Sequence, residues 1–159
     1  MIKCYAATPG SGKTYEAVKT ILDYLRCGKT VFTNIDGLDI PECRECIKNY
    51  CGLDYYQLTT RLNFLTREQS FDFWRYAPAG SLIVLDEVHK FFSNRDCNSE
   101  KNKQFTEWAS THRHEGYDVV LITQDVGKID SHARSLIEWT DHFRKVNFFG
   151  GAVQKKYLC

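Results

Sequence analysis

Apolar residues in this chain follow two spacings that alternate along its length. Short, nearly continuous apolar runs at 2–8 (IKCYAAT), 29–35 (KTVFTNI), 81–87 (SLIVLDE) and 118–124 (DVVLITQ) predict buried strands. Between the first two, Ala17, Val18, Ile21, Leu22 and Leu25 recur every three or four positions and line one face of a helix over 13–27, stopped by Gly28. Thr66 and Gln69 have the spacing of a capping box and predict a helix over 67–77, broken by Pro78-Ala79-Gly80. Ser99 caps a further helix running to about His114, and Ala133, Leu136 and Ile137 mark a short one over 131–140. From 36 to 64 the periodicity fails, which predicts loop and short helices. At the end, polar and apolar residues alternate over 141–149 and 152–159 around Gly150-Gly151, the pattern of a β-hairpin.

Strands alternating with helices predict one α/β domain over 1–159, a mostly parallel sheet flanked by helices, with a variable insertion at 36–65 and a terminal hairpin at 141–158. Ligands of such sheets bind at the carboxyl ends of the strands. Composition narrows the classes. With 21 Lys plus Arg against 20 Asp plus Glu, the net charge of +1 gives no global attraction for nucleic acid or an anionic membrane. The N-terminus lacks the features of a secretory signal, and the longest aliphatic run, LIVL at 82–85, falls far short of the ~20 apolar residues that span a bilayer. Seven cysteines, an odd number, suit a reducing compartment. Cys43, Cys46 and Cys51 cluster in PECRECIKNYC, either as free thiols or, with Cys97, as a zinc set.

The chemistry begins where the first strand ends. Ala7-Thr8-Pro9-Gly10-Ser11-Gly12-Lys13-Thr14 fits G-x-x-x-x-G-K-[ST] at every position but the first. In such a loop, backbone N–H groups turn inward onto phosphate oxygens at a helix N-terminus. Pro9, Gly10, Ser11 and Gly12 would form the cradle, Lys13 would reach the β- and γ-phosphates, and Thr14 would bind Mg2+. Asp86, after a buried strand, is the matching magnesium ligand, and Glu87 is positioned to act as general base on water. Gln124 ends another buried strand and would act as a polar sensor if the two strands are neighbours. In THRHEG, Arg113 could neutralise charge on the phosphoryl group or simply form a solvated helix end, and Arg134 is a second candidate. GKID at 127–130 has the Lys and Asp of a guanine-reading loop but not its leading asparagine, which favours ATP over GTP. The aromatic residues, Trp74, Trp108 and Trp139 included, read as packing rather than a base-stacking platform.

In this order along the chain, TPGSGKT, VFTNIDGL, IVLDEVHKFF, THRHEGYDVVLITQD and LIEWTDHFRK resemble the zonular occludens toxin family, which includes the gene I assembly proteins of filamentous bacteriophages. The resemblance covers most of the chain and is weakest from 40 to 65. It implies an ATPase of the additional-strand P-loop class, with Lys13 and Thr14 in the nucleotide loop, Asp86 and Glu87 as the acidic pair and Gln124 as the sensor. It further implies a homo-oligomeric motor at the cytoplasmic face of the bacterial host's inner membrane. Such a motor would work with phage coat and export proteins to extrude single-stranded phage DNA as virions assemble. Relatives continue through a transmembrane helix that this chain, ending at Cys159, does not contain. Two other readings of the residues stay open: a nucleotide-switched assembly module without catalysis, and a small P-loop kinase.

Overall fold

In the computed structural model the elements run β1 (Ile2–Ala6), α1 (Lys13–Arg26), β2 (Val31–Thr33), α2 (Pro41–Cys51), α3 (Tyr55–Arg61), β3 (Leu62–Phe64), β4 (Leu82–Leu85), α4 (Glu100–Glu115), β5 (Asp118–Thr123), α5 (Ser131–Ser135), β6 (Trp139–His142), β7 (Arg144–Val146) and β8 (Lys156–Leu158). The structure describes residues 1–93, 100–146 and 156–158, with backbone alone at 100–102, 112–114, 145–146 and 156–158. Six strands form one sheet in the order β3-β2-β4-β5-β1-β6, with every neighbouring pair parallel. The LIVL run of β4 is buried at every position, as a strand covered on both faces must be. Along β5 the side chains alternate between two cores. Val120 and Ile122 join Ala17, Ile21 and Leu25 of α1 on one face, while Val119 and Leu121 join Phe105 and Trp108 of α4 on the other. This is the P-loop NTPase fold. One strand, β5, lies between β1 and β4, so the ends of all three meet at one edge of the sheet.

Several expected elements take another form. Thr66 and Gln69 make the reciprocal capping bonds at 2.9 and 3.2 Å, yet no α-helix over 67–77 follows. Two 3-10 turns, Gln69–Phe71 and Phe73–Arg75, stand there, separated by Asp72 at φ −134°. Tertiary packing overrides the cap. Phe73 is fully buried among Trp74, Phe105 and Trp108, with its ring 4.8 Å from that of Trp108, while Phe71 turns to Phe91. The segment 36–64 contains helices α2, opened by Pro41 at its first turn, and α3, opened by an Asp54–Gln57 capping box, and then the edge strand β3, which was not expected.

The helix expected over 131–140 closes after Ser135, and Trp139–His142 leaves to pair with β1 as β6. Residues 141 and 142, expected in the hairpin, therefore belong to the main sheet. β6 is an edge strand exposed along most of its length, so it carries no apolar alternation, and backbone bonds hold it: Glu138 N–H to Ile2 O at 2.9 Å and Phe143 N–H to Ala6 O at 3.0 Å. The hairpin itself is present as antiparallel β7 and β8. Its Gly150-Gly151 turn lies outside the described residues, as do Ser99 and Cys97. Among the described residues no helix is long and apolar enough to cross a membrane.

Candidate functional site

Residues 7–14 wrap the N-terminus of α1. Gly10 and Gly12 take left-handed backbone angles, φ +73° and +94°, which a Cβ makes costly. Ala7, at the position where the loop pattern has glycine, is not among the positive-φ residues, so its methyl costs nothing there. Ser11 is buried, and its hydroxyl meets that of Thr8 across the loop at 3.0 Å. Lys13 is buried as well, and its ammonium folds back to donate to Ala7 O at 2.9 Å and Thr8 O at 3.4 Å. These are weak, exchangeable partners for a charge that phosphate oxygens would bind better. Thr14 is exposed and faces Asp86 and Glu87 across a cleft of about 390 Å³ that Asn34, Arg67 and Lys90 also line.

Asp86 is held from both sides. Its backbone N–H donates to Asn34 Oδ1 at 2.7 Å, and its carbonyl accepts from Asn34 Nδ2 at 3.2 Å, so the end of β2 fixes the end of β4. Burial pushes the Asp86 carboxyl above the usual carboxylate range. The N–H of Glu87, 2.7 Å from Asp86 Oδ1, opposes the rise, the Glu87 charge adds to it, and the ammoniums of Lys13 and Lys90 oppose it. A divalent cation would add to the countercharge of Lys13 and Lys90. Asp86 and the Thr14 hydroxyl are hard oxygen donors on one cleft and fit Mg2+.

Glu87 has φ +53°, the one non-glycine residue in the left-handed region among the described residues. Such a conformation costs on the order of 1 kcal/mol and persists where the surroundings impose it. Here it aims the carboxylate at β5: Gln124 Nε2 donates to the two Glu87 oxygens at 3.1 and 3.5 Å. From the other side His89 Nε2 lies 3.3 Å from Glu87 Oε2, while its Nδ1 is buried without a partner among the described residues.

The structure thus brings Lys13, Thr14, Asp86, Glu87 and Gln124 to one edge of the sheet. Arg113 lies on α4, but its side chain is outside the described residues, and Arg134 is exposed on α5. Asn34, His89 and the cleft cations Arg67 and Lys90 were missed from the sequence. Asn34 carried a signal, since it ends an apolar strand just as Asp86 and Gln124 do. Asp130 of GKID is fully buried, and its Oδ1 accepts from the N–H groups of His132 and Ala133, so it caps α5 and reads no base. Cys43 and Cys46 line an apolar groove with Val18, Leu22 and Leu38; among the described residues no three His, Cys, Asp or Glu side chains converge as metal ligands do.

The family model for zonular occludens toxin (Zot) matches residues 1–157. The chain belongs to the Zot family. It is 36% identical over 140 residues to ORF301 of Pseudomonas phage Pf3, a protein named for an inferred assembly role, and 28% identical over 133 residues to the Gene 1 protein of Enterobacteria phage M13. These alignments cover 86% and 80% of this chain but 40% and 37% of the relatives, so this Zot-family chain spans about two fifths of their length. Among solved structures, the N-terminal domain of zonular occludens toxin from Neisseria meningitidis superposes with a TM-score of 0.62 at 27% identity, covering 94% of this chain and 78% of that one. The genome packaging NTPase B204 of Sulfolobus turreted icosahedral virus 2, solved with AMPPCP, gives 0.63 at 14% identity over 92% and 75%, a likeness of fold alone.

Proposed function

We propose that this chain is the ATPase domain of a phage assembly and export motor, hydrolysing ATP at the ends of β1, β4 and β5. The observation that carries the reading is the contact of Glu87 with Gln124, a base and a polar amide on neighbouring strand ends, one strand away from the Lys13 loop. The loop N–H groups cradle the phosphates, and Lys13 exchanges the carbonyls of Ala7 and Thr8 for β- and γ-oxygens. Glu87 accepts a proton from water as its oxygen bonds to the γ-phosphorus and the bond to the β-phosphate oxygen breaks, releasing ADP and phosphate. Gln124 holds Glu87 before binding and orients the water or the γ-phosphate afterwards. Magnesium, held by Thr14 and Asp86, would neutralise charge on the phosphates.

Phage assembly is supported by the family and by the Pf3 and M13 relatives. The same reading has the domain working as a homo-oligomer at the cytoplasmic face of the host's inner membrane. There it would act with coat and export proteins on single-stranded phage DNA, joined to the membrane through a segment beyond this chain. Steady-state ATP turnover with magnesium tests the chemistry. The wild type is expected to release ADP and phosphate and Lys13→Ala to lose turnover, whereas equal turnover in both would remove the loop from the reaction.

A further inference from the structure

The loop fixes the direction in which a row of phosphates, and so any nucleotide, can lie. Thr14, Asp86 and Glu87, which mark the end that carries the terminal phosphate, are on the β4 side of the loop. Phosphates laid along that direction leave the nucleoside on the opposite side, over β6. There the structure has a second cleft of about 370 Å³, bordered on the β5 side by Gln124 and Asp125 and lined beyond them by Ala7, Thr8, Phe143 and Arg144. Its floor is rigid: Phe143 is buried edge-on to Tyr5 at 5.3 Å, and Asp125 Oδ1 holds the next turn through Gly127 N–H at 2.8 Å. At its rim Arg144 is exposed, and among the described residues no carboxylate pairs with its guanidinium.

We propose that this cleft takes the base and ribose of the nucleotide, with the Arg144 guanidinium against the face of the base. The inference rests on the nucleotide-binding reading above. A planar guanidinium lies flat on an aromatic ring and adds stacking to the cation–π attraction, whereas an ammonium at the same place keeps the attraction alone. It also gives Ala7 a second role, because the side chain that departs from the loop pattern forms part of the wall next to the nucleoside.

Equilibrium binding of ATP and of inorganic tripolyphosphate, to the wild type and to Lys13→Ala, Arg144→Ala and Arg144→Lys, separates the two ideas. Arg144→Ala is expected to weaken ATP by about tenfold and to leave tripolyphosphate unchanged, with Arg144→Lys restoring only part of the loss. Lys13→Ala should weaken both ligands. Equal weakening of ATP and tripolyphosphate by Arg144→Ala, full rescue by lysine, or no effect of either variant would overturn the cleft assignment. In each of those cases the phosphate loop stands if Lys13→Ala still weakens both ligands. If Lys13→Ala changes neither, the loop reading falls and the cleft assignment falls with it.

Discussion

Asn34 is the residue whose removal should separate folding from positioning. It spans Asp86 with two hydrogen bonds, 2.7 Å to the N–H and 3.2 Å to the carbonyl, at a half-buried site between β2 and β4. At roughly 1 kcal/mol of net stability for each bond, Asn34→Ala should cost about 2 kcal/mol, more if water fails to reach the orphaned backbone groups. For a domain of this size that corresponds to a melting temperature lower by about 4–8 °C. The same bonds fix the chain immediately before Glu87, whose left-handed backbone depends on its neighbours being held. A fall in kcat with little change in KM is therefore expected alongside the thermal effect, measured at a temperature where the variant is fully folded. Unchanged melting and unchanged kcat would refute the reasoning outright. Lower melting with wild-type kcat would leave Asn34 a structural residue and refute its part in positioning Glu87.

Four other outcomes follow from particular residues. Ala7→Gly should leave ATP affinity nearly unchanged in equilibrium binding, because Ala7 needs no positive φ; a large gain would mean that the natural loop is impaired. Phe73→Ala should cost about 3–5 kcal/mol in denaturant unfolding, while Phe73→Leu should cost far less, since the site is fully buried among aromatic rings. Burial, with the Asp141 charge adding to it, pushes the Cys4 thiol from 9.0 up to about 12, so mass spectrometry after alkylation near about pH 8 should find Cys27 and Cys46 labelled and Cys4 intact. Because the unfolded chain gives up that proton first, the contribution of Cys4 to stability is constant below pH 9.0 and is lost as pH rises towards about 12; Cys4→Ala should flatten this alkaline slope.

What could be read from the sequence was whatever burial or a covalent pattern imposes locally. β1, β4 and β5 lie in the middle of the sheet and are apolar on both faces, so each leaves a continuous apolar run that points to its own polar end: the 7–14 loop, Asp86-Glu87 and Gln124. The edge strands escaped for the opposite reason. β6 faces solvent and β3 spans only Leu62–Phe64, so neither leaves a pattern, and their positions are set by backbone pairing to β1 and β2. The 67–77 helix failed because a good cap starts a helix but cannot hold one against the burial of Phe73. Asn34 and His89 act through partners 52 and two residues away, and only the register of β2 on β4 and the turn after Glu87 make them neighbours of the carboxylates.

The proposed activation of water by Glu87, on a nucleotide held by the Lys13 loop, is measured most directly by single-turnover hydrolysis of ATP by the wild type and Glu87→Gln. The account predicts that both proteins bind ATP and that the glutamine variant releases phosphate slower by about 10²–10⁴-fold. Phosphate release at the wild-type rate from Glu87→Gln would contradict it, as would tight ATP binding by the wild type with no hydrolysis, the behaviour of a nucleotide switch.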